Sequence, residues 1–428
     1  MLFARWMAAL ALCASSASAQ QQPVQQRYET ILLTRAAAIQ LALERNPQLD
    51  VAREQIAEFR AVKVQATAIP DPAVTLSLDQ QPGLFRSSAS GQKNIGAILL
   101  VPFPNKIRLR GNVAAADVKN AEANYTALQR QIAALTAEQY DSLLVALRHR
   151  MDFTQAQTLA NDFLKRTQAR FDAGTAPRLD VIKAQVDVAG STNDLISNDR
   201  AIANATSGLN RFIGRALGAP IVATDSLGVP PSLPTIDELE AQALAARPEL
   251  AGLMAQRKGA SSATTLAREF WLPDLTLGVT RDFAGNNGPG VFSTGLAFPL
   301  PLLFWQHTRG EISQSQHRER ELAASYRDLE AQVGQDVRNA YSAANTALRQ
   351  AIYIRDQLLP SAREAYRSTA ATYAIGGSSA FEVIDARRTL LAAESQYSDA
   401  LAAANTSRSD LERAVSVPLE TIVSGTKP

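Results

Sequence analysis

The sequence predicts a mainly α-helical protein with a small β part, built as two copies of one plan: a strand hairpin followed by long coiled-coil helices. Three observations predict it. First, the chain repeats itself once. Asn46-Pro47-Gln48-Leu49 recurs as Arg247-Pro248-Glu249-Leu250, and Pro72-Ala73-Val74-Thr75-Leu76 as Pro273-Asp274-Leu275-Thr276-Leu277. Pro102 and Gly111 recur as Pro301 and Gly310, and ARFDAGTAPRLDVIKAQ from Ala169 recurs as ATYAIGGSSAFEVIDAR from Ala371. Blocks in one order at a near-constant spacing of about 200 residues mark a structural duplication. Second, helical patterning runs without a break from Gly111 to about 172 and from Gly310 to about 374, roughly 93 Å of helix in the first case. Third, Leu275, Leu277 and Val279 alternate with Thr276, Gly278 and Thr280, as Val74, Leu76 and Leu78 alternate with their neighbours. That is the period of a one-sided strand.

Composition agrees. The 428 residues carry 43 Lys+Arg against 41 Asp+Glu, so nucleic acid is not an expected partner. One Cys and three His rule out a disulfide scaffold and a Cys-rich or His-rich metal cage. Hydrophobic content is 46 % with only 6 % aromatic, so Ala dominates, which suits close-packed helices better than a compact enzyme core. No run of 18 apolar residues exists, and no transmembrane helix is expected.

The elements follow in order. Residues 1–19 read as a secretory signal: Arg5, an apolar run Trp6–Leu12, and the small-residue site Ala17-Ser18-Ala19. Cleavage there leaves Gln20 first and removes Cys13. The competing reading, lipidation of Cys13, meets Leu12 where a small residue is wanted. Residues 20–213 form the first repeat. A short helix over about 34–45 stops at Asn46-Pro47, and Pro47 opens a second helix to about 68. The hairpin spans about 73–101, and the long helices are 111–172 and 177–213. A Pro/Gly-rich linker covers 214–234. The second repeat, 235–416, has a short helix to 246, a helix from Pro248 to about 270, a hairpin at about 274–298, and helices 310–374 and 380–416. A tail covers 417–428. Leu329, Val333, Val337, Ala340, Ala344, Ala347, Ala351, Ile354 and Leu358 step by three and four, the seam of a coiled coil. In each half the long helix equals the length of two shorter ones, so those two are expected to stack end to end beside it.

The duplicated X-Pro block at Pro47 and Pro248, the PxxTL strand starts at Pro72 and Pro273, and the tip Gly376–Arg387 with its following helix resemble the TolC family of outer-membrane efflux channels. The resemblance covers essentially the whole mature chain. It implies a homotrimer whose four strands per subunit close a 12-stranded β-barrel, continuous with a periplasmic α-helical barrel. Length and the segment VPFPNKIRLRG (101–111) resemble the branch that serves heavy-metal cation pumps. The implied function is the passive exit duct of a tripartite efflux pump. The implied partners are a periplasmic adaptor, an inner-membrane transporter of the resistance-nodulation-division type and outer-membrane lipid. Two alternatives stay open: the exit duct of a type I protein-secretion system, and a periplasmic coiled-coil scaffold that never enters a membrane. The first follows from the same resemblance; the second is opposed by strands bracketed by Trp271 and Trp305, which suit a membrane interface. Ordinary half-buried tryptophans are the alternative reading of that pair, and their paired placement favours the interface. Independently, strands at a rod's end cannot remain as open edges in lipid, so such a subunit must associate to close them.

At the second tip, Glu382 and Asp385 are three apart at a helix start and share a face. Residue pattern alone favours acids that stabilise a helix N-terminus through its dipole. The resemblance implies instead the acidic pair that constricts the periplasmic mouth, with Asp180 the first-half counterpart of Glu382. Tyr373 falls on the family's tip tyrosine, implicated in holding the channel closed. The family's clamp arginine falls at Ser378, a departure, with Arg178, Arg387 and Arg388 as candidate substitutes. Gly174, Gly376 and Gly377 are expected to end helices in left-handed geometry; the resemblance adds adaptor docking at these turns. No catalytic, cofactor or metal site is expected. His149, His307 and His317 lack ligand spacing and are expected to face solvent, the glycines at 285–290 open no helix, and no GxSxG occurs.

Overall fold

The computed structural model describes residues 29–79, 92–283, 290–299 and 304–419. The segment read as a signal peptide, most of the glycine-rich loop at 285–290 and the end of the tail lie outside them.

The first repeat begins with a capped corner. A three-residue strand β1 (Ile31–Leu33) leads to α1 (Arg35–Arg45), whose N-cap Thr34 accepts from the Ala37 N–H. Asn46 then caps α2 (Pro47–Thr67), accepting from the Gln48 N–H, with Pro47 in the first turn where a missing N–H costs nothing. Strands β2 (Ala73–Asp79) and β3 (Gln92–Val101) follow, then α3 (Pro104–Asp172) and α4 (Arg178–Phe212). The 69 residues of α3 make it roughly 104 Å long. It starts seven residues before Gly111, because Pro104 opens it. Gly111 lies inside the helix at a close approach, where a Cβ would stand 2.8 Å from Thr67 Cγ2 of α2.

The linker carries a strand the sequence did not announce: β4 (Ile221–Ala223) pairs in parallel with β1, Ile31 opposite Ile221. The second repeat runs α5 (Ile236–Ala246), α6 (Pro248–Arg268), a 3₁₀ turn (Glu269–Trp271), β5 (Leu275–Phe283), β6 (Val291–Ala297), α7 (Phe304–Tyr353), a π turn (Ile354–Leu358), α8 (Leu359–Ala374) and α9 (Ala380–Val415).

The end-to-end stacking is visible at both corners. Asn46 Nδ2 donates to Phe212 O at 3.3 Å, so the end of α4 abuts the α1/α2 corner. Arg247 Nε donates to Ala414 O at 2.7 Å, so α9 abuts the α5/α6 corner in the same way. The two main cores are counterparts also. Leu49, Ala42, Tyr140 and Leu209 fill the first, and Leu250, Ala243, Val333, Val337 and Leu411 the second. Helix α3 is flanked by α4 and α2 on one side and by α9 and α6 on the other, with α7 beyond them.

The four longer strands form one antiparallel sheet, ordered β2-β3-β5-β6, which leaves β2 and β6 at its edges. Val74 and Leu76 are 75 % and 74 % exposed, and Leu277, Val279 and Leu296 also stand out to solvent. The opposite face carries small polar groups: a Cβ on Gly96 would meet Thr75 Oγ1 and Thr280 Oγ1, each at 2.9 Å. The first face is the more apolar, although Ile98, Leu100 and Val291 are exposed on the other, and a mainly apolar outer face is the pattern of a lipid-facing barrel wall. No helix among the described residues is long and apolar enough to cross a membrane.

The expected seam is corrected at its lower end. Val333, Val337, Ala344, Ala347 and Ala351 are buried, whereas Ile354 and Leu358 are only half-buried and Leu359 and Ala362 take over. Pro360 cannot donate to the carbonyl four residues back, and its ring pushes that carbonyl away. The turn before it widens to π geometry, and the extra residue rotates the buried face by one position.

Candidate functional site

The end of the rod away from the sheet is where both helical hairpins turn. In the first, Gly174 has φ +73° and its N–H reaches Phe171 O at 2.8 Å while Thr175 N reaches Arg170 O at 2.8 Å. In the second, Gly376 has φ +82°, and Gly377 N reaches Thr372 O at 2.9 Å. These are left-handed helix ends that satisfy the last carbonyls. Gly377 departs from expectation: its φ is not positive. A Cβ there would sit 2.9 Å from Thr372 Cγ2, so it is small because the turn folds back on α8.

Ser379 and Glu382 form a capping box at the start of α9. Ser379 N–H donates to Glu382 Oε2 at 2.9 Å, and Glu382 N–H donates to Ser379 Oγ at 3.3 Å. Glu382 therefore has the helix-capping role that residue pattern alone suggests. It remains exposed, as does Asp385 beside it, which makes no side-chain bond among the described residues. Asp180 is half-buried near the start of α4, and Lys183 lies over the Phe381 ring at 5.8 Å, tying the two helix starts together.

Tyr373 is buried, and its partner is an arginine that sequence reasoning missed. Arg170 stacks on the Tyr373 ring at 4.4 Å and donates to Tyr373 O. The ring also lies against Phe163 with centroids 5.2 Å apart, and its hydroxyl is 3.5 Å from Thr167 Oγ1. Together these close the end of α3 onto the end of α8. None of the candidate substitutes takes that place. Ser378 Oγ donates to Thr369 O within its own turn. Arg387 is buried between α3 and α4, donating to Ala156 O at 3.0 Å and pairing with Asp187. Arg388 approaches the same Asp187 at 3.8 Å. The missed signal is in the repeat itself: Arg170 is the counterpart of Thr372, so neighbouring tips bring it beside Tyr373. A cavity of about 330 Å³ next to this contact is lined by Asp162, Arg166, Tyr366 and Tyr373.

At the opposite end, Trp271 is 57 % exposed, four residues ahead of β5. Trp305 falls in the first turn of α7, with its side chain outside the described part. The sheet's base is clamped across the repeats: Lys106 Nζ and the Phe103 N–H both reach Asp274 Oδ1 at 3.0 Å.

The family model for outer membrane efflux proteins matches residues 38–215 and again 239–416, the two repeats in turn. The chain belongs to the outer membrane efflux protein family. The cobalt-zinc-cadmium resistance protein CzcC of Cupriavidus metallidurans is 24 % identical over 90 % of this chain and 91 % of its own. The outer membrane protein TolC of Vibrio cholerae is 25 % identical over 84 % of this chain and 85 % of its own. Among solved structures, the CusC channel superposes with TM-score 0.76 at 16 % identity, covering 89 % of this chain and 91 % of that one. The OprN outer-membrane channel gives 0.73 at 16 %, covering 90 % of each. As a member of the outer membrane efflux family, the protein is an outer-membrane exit channel with a large periplasmic portion. Its exposed apolar sheet face and roughly 100 Å helices are the two parts of that channel.

Proposed function

We propose that this channel is the exit duct of a tripartite pump for heavy-metal cations, working with a periplasmic adaptor and a transporter of the resistance-nodulation-division type. The observation that carries the cargo is the end-to-end match to a cobalt-zinc-cadmium resistance protein. The duct does no chemistry of its own; the transporter supplies the energy. Three copies supply twelve strands, and joining β2 of one to β6 of the next removes every open edge. Trp271, with Trp305, marks the periplasmic membrane interface. The two tips carry the closed mouth: Glu382, Asp385 and Asp180 furnish its acids, Tyr373 held by Arg170 keeps it shut, and the turns at Gly174, Gly376 and Gly377 receive the adaptor. Cleavage after Ala19 delivers a chain that begins at Gln20 to the periplasm.

Deletion of the gene in its host tests the cargo. Sensitivity to cobalt, zinc or cadmium should rise and be reversed by the native gene. Unchanged metal tolerance with raised sensitivity to organic toxicants would overturn the metal reading while leaving the duct.

A further inference from the structure

The His149 side chain is 16 % exposed, and its partner Asp399 is 65 % exposed. His149 of α3 and Asp399 of α9 meet across the two repeats, Nε2 to Oδ1, at 3.0 Å. Their place in the duct follows from helix phase. Tyr140, nine positions before His149, donates to Leu33 O in the strap made by β1 and the linker. Nine residues are two and a half turns, so His149 leaves α3 on the opposite face. On α9, Leu401 belongs to the cluster on which linker residues Leu227 and Val229 pack, and Asp399 two positions back is rotated by roughly 200°. Both side chains thus point away from the strap. A conducting bore is free of the strap, so the face they share is the wall of the duct. A groove of about 660 Å³ runs along it, lined by Gln139, Asn198 and Thr406 besides His149. Phe153 packs beside the imidazole, with ring centroids 5.7 Å apart.

We infer that His149 and Asp399 form a transit site for a divalent transition-metal cation on the duct wall. The inference rests on the metal-efflux reading above. Metal–nitrogen and metal–oxygen bonds of about 2.1 Å at the tetrahedral angle place the two ligand atoms about 3.4 Å apart, a few tenths of an ångström beyond the 3.0 Å present. A cation enters once the imidazole turns its Nε2 lone pair to point beside the Asp399 oxygen and not at it, a side-chain adjustment that leaves α3 and α9 in place. The proton shared with Asp399 transfers through water from Nε2 to Nδ1, the ring stays neutral, and water completes the coordination shell. Two protein ligands bind weakly, and a conduit needs a site that releases as readily as it captures. Among the described residues no cluster of three or more metal-type ligands exists, so nothing there competes by holding the cation tightly. Arg349 lines the adjoining groove with Asp399 and lowers the affinity further.

A plain interhelix hydrogen bond is the structural alternative, and one variant separates the two. His149→Gln keeps an N–H donor for Asp399 and loses the azole nitrogen. The purified full-length protein is titrated with zinc against a chromophoric chelator, in a Glu382→Gln, Asp385→Asn background that removes the exposed mouth acids. We expect one zinc per chain in the background protein, weakened at least tenfold by His149→Gln and by Asp399→Asn. Migration in unheated gels should be unchanged. Equal zinc binding with and without His149→Gln, or none in the background, overturns the site. Histidine-selective NMR of the native sequence gives a reading that needs no variant: one of three imidazoles should shift with zinc, and three unmoved signals overturn the site. Pore formation in bilayers is scored separately, so a failed duct and a failed zinc site are told apart.

Discussion

At the scale of single residues, the strap is anchored by a tyrosine that titrates late. Burial raises the Tyr140 hydroxyl to about 12, with the neighbouring Asp225 carboxylate adding to it. A group whose folded value is raised stabilises fully below its unfolded value and loses that contribution as pH rises toward the folded one. Alkaline unfolding should therefore set in between about pH 10, the unfolded tyrosine value, and 12. Tyr140→Phe should flatten that slope while costing about 1 kcal/mol at neutral pH for the lost hydrogen bond, both measurable by denaturant titration. Arg170 is the second decisive residue. Arg170→Ala removes the stacking on Tyr373 and the bond to its carbonyl, so basal conductance in planar bilayers should rise with little change in assembly. Unaltered basal conductance would mean that the contact is structural filler.

Among the elements, α9 depends on one buried ion pair. Arg387 and Asp187 side chains are 5 % and 3 % exposed, so removing Arg387 leaves the buried Asp187 only the longer contact to the exposed Arg388. Arg387→Met should cost about 3–5 kcal/mol, whereas Arg387→Met with Asp187→Leu should recover most of it. Thermal melts of the three proteins check this, and equal losses in both variants would deny the pairing. The sheet makes a separate prediction. Leu277 lies on the exposed apolar face of β5, opposite Leu99 and Leu296. Arg at Leu277 should cost about 2–4 kcal/mol if it lies near the bilayer midplane. Normal yields of Leu277→Arg in outer-membrane fractions would count against a lipid-facing β5.

For the whole molecule, charge at the mouth should set selectivity. In the proposed mouth, three-fold closure would repeat Glu382 and Asp385 around a narrow opening, where like charges focus the field. Glu382→Gln with Asp385→Asn should abolish cation preference and divalent block in bilayers, while the amide of Gln can still accept from the Ser379 N–H, so the cap of α9 and the stability of the tip should be largely kept. Selectivity and block equal to those of the native channel would leave capping as the only role.

The sequence by itself determined the duplication, the strand hairpins, the X-Pro corners and the glycine turns. Period, turn chemistry and proline restrictions act within a few residues, so they are written along the chain. Even there, β1 and β4 escaped notice, since three residues show no period. What only the tertiary structure decided is which side chains meet across the repeats. Arg170 with Tyr373, Asp187 with Arg387, and His149 with Asp399 are each about 200 residues apart or more. Such meetings depend on the rotational phase of long helices, and one residue changes that phase by about 100°. The π turn before Pro360 makes just that change in the second repeat and not in α3. Below that turn, α8 presents a face rotated by one residue from its first-repeat counterpart.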